Sequence, residues 1–100
     1  MVMATEISVF PNPFEHYIIL EITCEESVDC IILLADLQEG KIIRMLGVGL
    51  KIGINRIPID DLQPLSAGNY QLNIKTAYGD PIYQTRLFKQ AYDTPTINLN

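Results

Sequence analysis

Apolar and polar positions alternate with period two along most of the chain, which is the pattern of half-buried strands rather than helices. Residues 17–23 place Ile18, Leu20 and Ile22 on one face and Tyr17, Ile19 and Glu21 on the other. Residues 69–76 do the same, with Tyr70, Leu72, Ile74 and Thr76 opposing Gln71, Asn73 and Lys75. Residues 29–37 (DCIILLADL) form a continuous apolar run, as expected of a strand with neighbours on both sides. Residues 7–10 form a short first strand that Pro11 and Pro13 end. Residues 41–50 follow the turn residue Gly40 and carry Gly47 and Gly49, which suggest a bulge or bend. Residues 54–59 and 82–89 complete the set. Strands at intervals of about 8–12 residues predict an all-β fold, an immunoglobulin-like antiparallel β-sandwich of about seven strands. The one helix candidate, residues 60–65, has room for a single turn before Pro64 ends it.

Composition narrows the picture. One hundred residues and 11.3 kDa are one domain. At that size folding buries about 65% of the extended chain's surface, enough for a two-layer core but not for a deep cleft. The sandwich is expected over residues 1–90, with a polar tail over residues 91–100 that carries Pro95. No apolar stretch reaches the roughly 18 residues of a membrane span, so no direct membrane insertion is expected. A net charge of −5 argues against a nucleic-acid surface. The charge is uneven. Residues 1–40 hold eight acids and no Lys or Arg, while residues 41–100 hold four acids and seven bases, giving −8 and +3. Interleaving of strands from both halves would mix the two signs, and that reading is favoured over an acidic docking face. The first residues, MVMATE, have neither a basic segment nor a long apolar one, so they do not read as a signal peptide.

Candidate chemistry is sparse. His16 is the single histidine and has no nucleophile at a recognised spacing. Cys24 and Cys30 lack zinc-site spacing and read as two buried free thiols, with a local disulfide as the alternative. Glu25-Glu26 and Asp60-Asp61 are adjacent loop carboxylates of the solvated kind, and Asp60-Asp61 could at most form a weak calcium site. No catalytic residue, metal or cofactor is expected, and enzymatic activity is not expected. Tyr70, which opens a strand after Ala67-Gly68-Asn69, fits the tyrosine that returns its hydroxyl to backbone a few residues upstream in immunoglobulin-type sandwiches. Gly68 fits a position with positive φ.

Several motifs, taken in order, resemble the C-terminal sorting domain, type A, of proteins exported by the type IX secretion system of Bacteroidetes. Ile7-Ser8-Val9-Phe10-Pro11-Asn12-Pro13-Phe14 is similar to the family's opening strand and Pro-Asn-Pro. Residues 31–37 and Gly40-Lys41-Ile42-Ile43 are similar to its apolar run, Asp and Gly-Lys turn, although Asp36-Leu37-Gln38-Glu39-Gly40 is one residue longer than usual. Gly53-Ile54-Asn55 corresponds to its Gly-x-Asn, and Leu62, Leu65, Ala67-Gly68 and Tyr70 to its Leu…Leu-x-Ala-Gly-x-Tyr. Leu87-Phe88-Lys89 is similar to its closing apolar-apolar-Lys, after which residues 90–100 continue.

The resemblance implies a non-catalytic address domain, recognised by outer-membrane secretion machinery proteins and directing an exported parent protein to the cell surface or medium. The recognition and structural residues would be Pro11, Asn12, Pro13, Gly68, Tyr70 and Lys89. Lys89 would be an edge-protecting charge or part of the segment that the machinery reads. Two alternatives stay open. One is an accessory glycan- or protein-binding module, for which Tyr17, Tyr83 and Tyr92 are the candidate aromatics. The other is a free-standing intracellular structural domain that dimerises through an edge strand.

Overall fold

The computed structural model describes residues 4–91; of the tail read over residues 91–100, residues 92–100 lie outside the described residues. Seven strands are present among the described residues: β1 (Ala4–Phe10), β2 (Ile18–Cys24), β3 (Val28–Asp36), β4 (Lys41–Leu50), β5 (Gly53–Ile59), β6 (Gly68–Thr76) and β7 (Pro81–Lys89). They form two antiparallel sheets, β1-β2-β5 and β4-β3-β6-β7. This is the immunoglobulin-like sandwich the strand spacing predicts, with β4 carried on the second sheet. β1 begins three residues earlier than the apolar pattern indicates, because Ala4 and Glu6 pair with Cys24 and Thr23 of β2.

The alternating faces become the core. Ile18, Leu20 and Ile22 of β2 are each fully buried, and Tyr70, Leu72, Ile74 and Thr76 of β6 are buried too. From β3, Cys30, Ile32 and Leu34 point inward between the sheets. β3 lies between β4 and β6, which explains its unbroken apolar run: Leu33, on the outer face, is also buried. Gly47 and Gly49 form no bulge and pair regularly with Ile31 and Asp29. The bulge falls at Ile43, since Leu34 pairs with Arg44 and Ala35 with Ile42. Residues 60–65 form a turn, with the Leu65 N–H donating to the Leu62 carbonyl at 3.1 Å, and Leu62 fills the core.

Strand order also settles the charge asymmetry. Glu6 and Glu21 lie on the outer face of the three-stranded sheet. Glu25 and Glu26 sit in the β2–β3 connection with Asp29 near it, whereas Asp36 and Glu39 stand at the opposite end. The acids of residues 1–40 therefore do not form one face. Arg56 of β5 meets Glu21 of β2 at 2.6 Å and also lies 5.8 Å over the Phe10 ring, so the two signs interleave.

Tyr70 performs the expected corner. Its hydroxyl donates to the Ser66 carbonyl, four residues upstream, while its ring is 3% exposed. Burial, then the nearby Asp36 and Glu39 carboxylates, raise its hydroxyl above the ordinary tyrosine value of 10.0. The folded state therefore holds this proton more tightly than the unfolded state. The associated stability is complete below the ordinary value and is lost as pH rises through the raised one. Replacing Tyr70 by Phe should cost about 1 kcal/mol, a fall in melting temperature of about 4–8 °C. The gap between wild type and Tyr70→Phe should narrow as pH climbs past 10.0; a gap that stays constant in thermal melts would show that the hydroxyl is not held as described.

Candidate functional site

The Pro-Asn-Pro segment leaves β1 at Phe10, crosses from the three-stranded sheet to the four-stranded one, and fastens onto the outer edge of β7. Both of its X-Pro bonds, Phe10–Pro11 and Asn12–Pro13, are cis. Neither proline has an N–H to leave unpaired. Between them, the Asn12 carboxamide acts as a surrogate peptide group. Its Oδ1 accepts from the Phe88 N–H at 3.0 Å and its Nδ2 donates to the Arg86 carbonyl at 3.3 Å.

Backbone takes over at Phe14. The Phe14 N–H donates to the Phe88 carbonyl, and the Gln90 N–H donates to the Phe14 carbonyl, both at 2.9 Å. These bonds make a short parallel bridge between Phe14 and Lys89. The Phe14 side chain is fully buried and meets the Tyr70 ring edge-on, with centroids 5.9 Å apart and planes at 66°. Phe14 thus plugs the open end of the core beside the tyrosine corner.

The other residues singled out in the sequence converge here. Gly68 pairs with Lys89, and Tyr70 with Leu87, across β6 and β7. Gly68 has φ of +143°, and a Cβ there would stand 3.3 Å from Nε2 of Gln38, so glycine serves both the backbone and the close approach of the β3–β4 turn. Pro11, Asn12, Pro13, Gly68, Tyr70 and Lys89 therefore occupy one end of the sandwich. Lys89 departs from expectation. It is not an exposed edge charge: β7 turns it inward, it is 1% exposed, and its Nζ donates to the Gln90 carbonyl at 2.8 Å. The Asn12 arm and the Phe14 bridge cover the edge that a charge would otherwise guard.

Asn55, the end of Gly53-Ile54-Asn55, has a comparable local role. It accepts from the Lys51 N–H at 2.9 Å and donates to the carbonyls of Lys51 at 2.8 Å and Ile22 at 3.1 Å, closing the β4–β5 turn onto β2. The part played by Phe14 was not recognised in the sequence, although an apolar residue directly after Pro-Asn-Pro in a polar loop is the signal for it.

Elsewhere the chemistry is limited. Shallow depressions of about 480 Å³, beside His16, Asp61, Gln63 and Pro64, and about 440 Å³, beside Glu15, Phe88, Gln90 and Ala91, are open to solvent. Among the described residues no group of three or more His, Cys, Asp or Glu is placed to hold a metal. Cys24 and Cys30 are free and buried. Burial raises both thiols, and Cys30 is pushed further by Cys24 and Asp29, which lowers their thiolate fraction and reactivity. Comparison with family models and with curated proteins finds no match to the chain.

Removing the Asn12 carboxamide leaves the outward groups of Arg86 and Phe88 to water. Asn12→Ala should therefore cost about 1–2 kcal/mol. Phe14→Ala empties a fully buried site and should cost about 3–5 kcal/mol. Urea unfolding measures both; an Asn12→Ala midpoint equal to wild type would mean the arm does not hold β7.

Proposed function

We propose that this domain is a non-catalytic sorting domain, read by the outer-membrane machinery of a type IX secretion system and delivering an exported parent protein to the cell surface or medium. The observation that carries this reading is the union of the first and last of the stretches that resemble the family. Asn12 of the opening motif and Arg86 and Phe88 of the closing strand are 74 and 76 residues apart in sequence, yet they form one hydrogen-bonded unit. An address must present a defined surface however varied the protein ahead of it. A closing strand clamped in place by the domain's own first loop meets that requirement. The machinery would read the strand end and the elbow together as a folded epitope. Backbone groups of β7 beyond the covered stretch would be available for strand addition. Lys89, turned inward, would act by fixing the end of β7 rather than as an exposed charge.

The arrangement of tyrosines gives little support to a glycan-binding module. Tyr83 faces inward opposite Ile74, Tyr17 precedes β2, and Tyr78, 95% exposed, lies at the far end of the sandwich in the β6–β7 turn. These do not make a coplanar row; Tyr92 lies outside the described residues.

The test fuses residues 1–100, and separately residues 1–90, behind a signal peptide and a reporter in a host with this secretion system. The expected result is surface delivery by the 1–90 fusion, reduced by Asn12→Ala. Retention of both fusions in the periplasm, while an established sorting domain delivers the same reporter, would refute the assignment.

A further inference from the structure

The four sheet edges of the sandwich are not equally protected. β7 is covered by Asn12 and Phe14 over its last residues. β5 carries an exposed proline, Pro58, which cannot donate to an added strand. β1 carries the exposed Glu6 and Ser8, with an irregularity between Ala4 and Glu6. β4 is the exception. It is ten residues long and contains no proline. Its two charges lie in its first four residues and are engaged locally: Lys41 with Glu39 at 3.2 Å, and Arg44 with the Asp61 carbonyl at 2.8 Å. The bulge at Ile43 bends that same half away from regular pairing. What remains is a regular, uncharged edge, Met45-Leu46-Gly47-Val48-Gly49-Leu50, with Met45 65% exposed.

We propose that β4 pairs antiparallel with β4 of a second copy of this chain, about a two-fold axis at Gly47. Two features of the strand select this occupant and this register. First, an antiparallel partner sets the basic half of one strand against the uncharged half of the other, whereas a parallel partner would place Lys41 on Lys41 and Arg44 on Arg44. Second, the register centred on Gly47 sets Met45 opposite Gly49 of the other copy, and Leu46 opposite Val48. The exposed methionine then lies over a position without a side chain. A Cβ at Gly47 would meet nothing within 4 Å, so the outer face is open at the axis. Leu33 and Ile31, the β3 neighbours of Met45 and Gly47, continue the apolar surface as far as Asp29, which pairs with Gly49 and whose carboxylate Oδ1 lies 3.3 Å from where a Cβ on Gly49 would stand. The union gives one eight-stranded sheet across two copies and abolishes the unguarded edge. The pairing is independent of the sorting assignment, since none of its residues belongs to the elbow or to β7.

Light scattering on the full 100-residue chain reads the mass directly. The expected result is a reversible rise from 11.3 kDa toward twice that value with concentration. Met45→Lys, at an exposed position, should hold the mass at the monomer value with unchanged circular dichroism. Register is read by cross-linking with copper–phenanthroline and oxygen. Cysteines introduced by Gly47→Cys would face each other at a Cα separation of about 4.5–5.5 Å, within disulfide range. Those introduced by Met45→Cys would stand about 14 Å apart. Gly47→Cys should therefore cross-link at least tenfold faster, and wild type, with Cys24 and Cys30 buried, should not. A mass that stays monomeric at every concentration overturns the proposal. So does a dimer indifferent to Met45→Lys, or cross-linking that favours Met45→Cys.

Discussion

The edge of β7 is the constraint around which this domain is organised. An unpaired strand edge exposes a row of N–H and C=O groups that must be paired, covered or charged. Here the first loop of the same chain covers it, using one side-chain amide, Asn12, and one backbone residue, Phe14. This choice has consequences throughout the sandwich. The loop must cross from one sheet to the other, so it ties the sheets together at one end. The residue that follows the crossing must face inward, so Phe14 becomes the plug of the core. Its contact with Tyr70 then joins the elbow to the tyrosine corner, which holds the β5–β6 connection through Ser66. Lys89 can turn inward because the edge beside it is already closed.

This arrangement gives the proposed address role a mechanical basis. The last strand of a sandwich is held on one side only, by β6, and would fray at its end without a second neighbour. The elbow supplies that neighbour for residues 86–90. The opposite side of the sheet has no such device, and β4 is left regular and uncharged over residues 45–50. The two edges of one sheet thus differ: one is sealed by the chain itself, and the other is left uncovered.

Much of the fold was legible because period-two alternation directly reports which face of a strand is buried. Ile18, Leu20 and Ile22, and Tyr70, Leu72 and Ile74, all lie on the faces their spacing indicates. The tyrosine corner was also legible, since it depends on local chain geometry over four residues. The misreadings share a cause: they concern relations between distant strands. Gly47 and Gly49 carry the composition of a bulge, but the extra residue is Ile43, because bulge position is set by how β3 and β4 register and not by β4 alone. Lys89 has the look of an edge guard, and only the position of Asn12 and Phe14, some 75 residues earlier, makes that role unnecessary. The meeting of Asn12 with Arg86 and Phe88 has no local signature, because a side-chain amide replacing a peptide group is specified by tertiary contact alone.

Native-state hydrogen exchange at the Phe88 and Gln90 amides addresses this account most directly. Both N–H groups point away from β6, and each has one acceptor, Asn12 Oδ1 or the Phe14 carbonyl. If the elbow is an integral part of the fold, both amides open only with the sandwich as a whole, at free energies approaching that of global unfolding. Rapid exchange at these two positions, with the inner β6 and β7 amides still protected, would contradict the central claim that the first loop holds the closing strand.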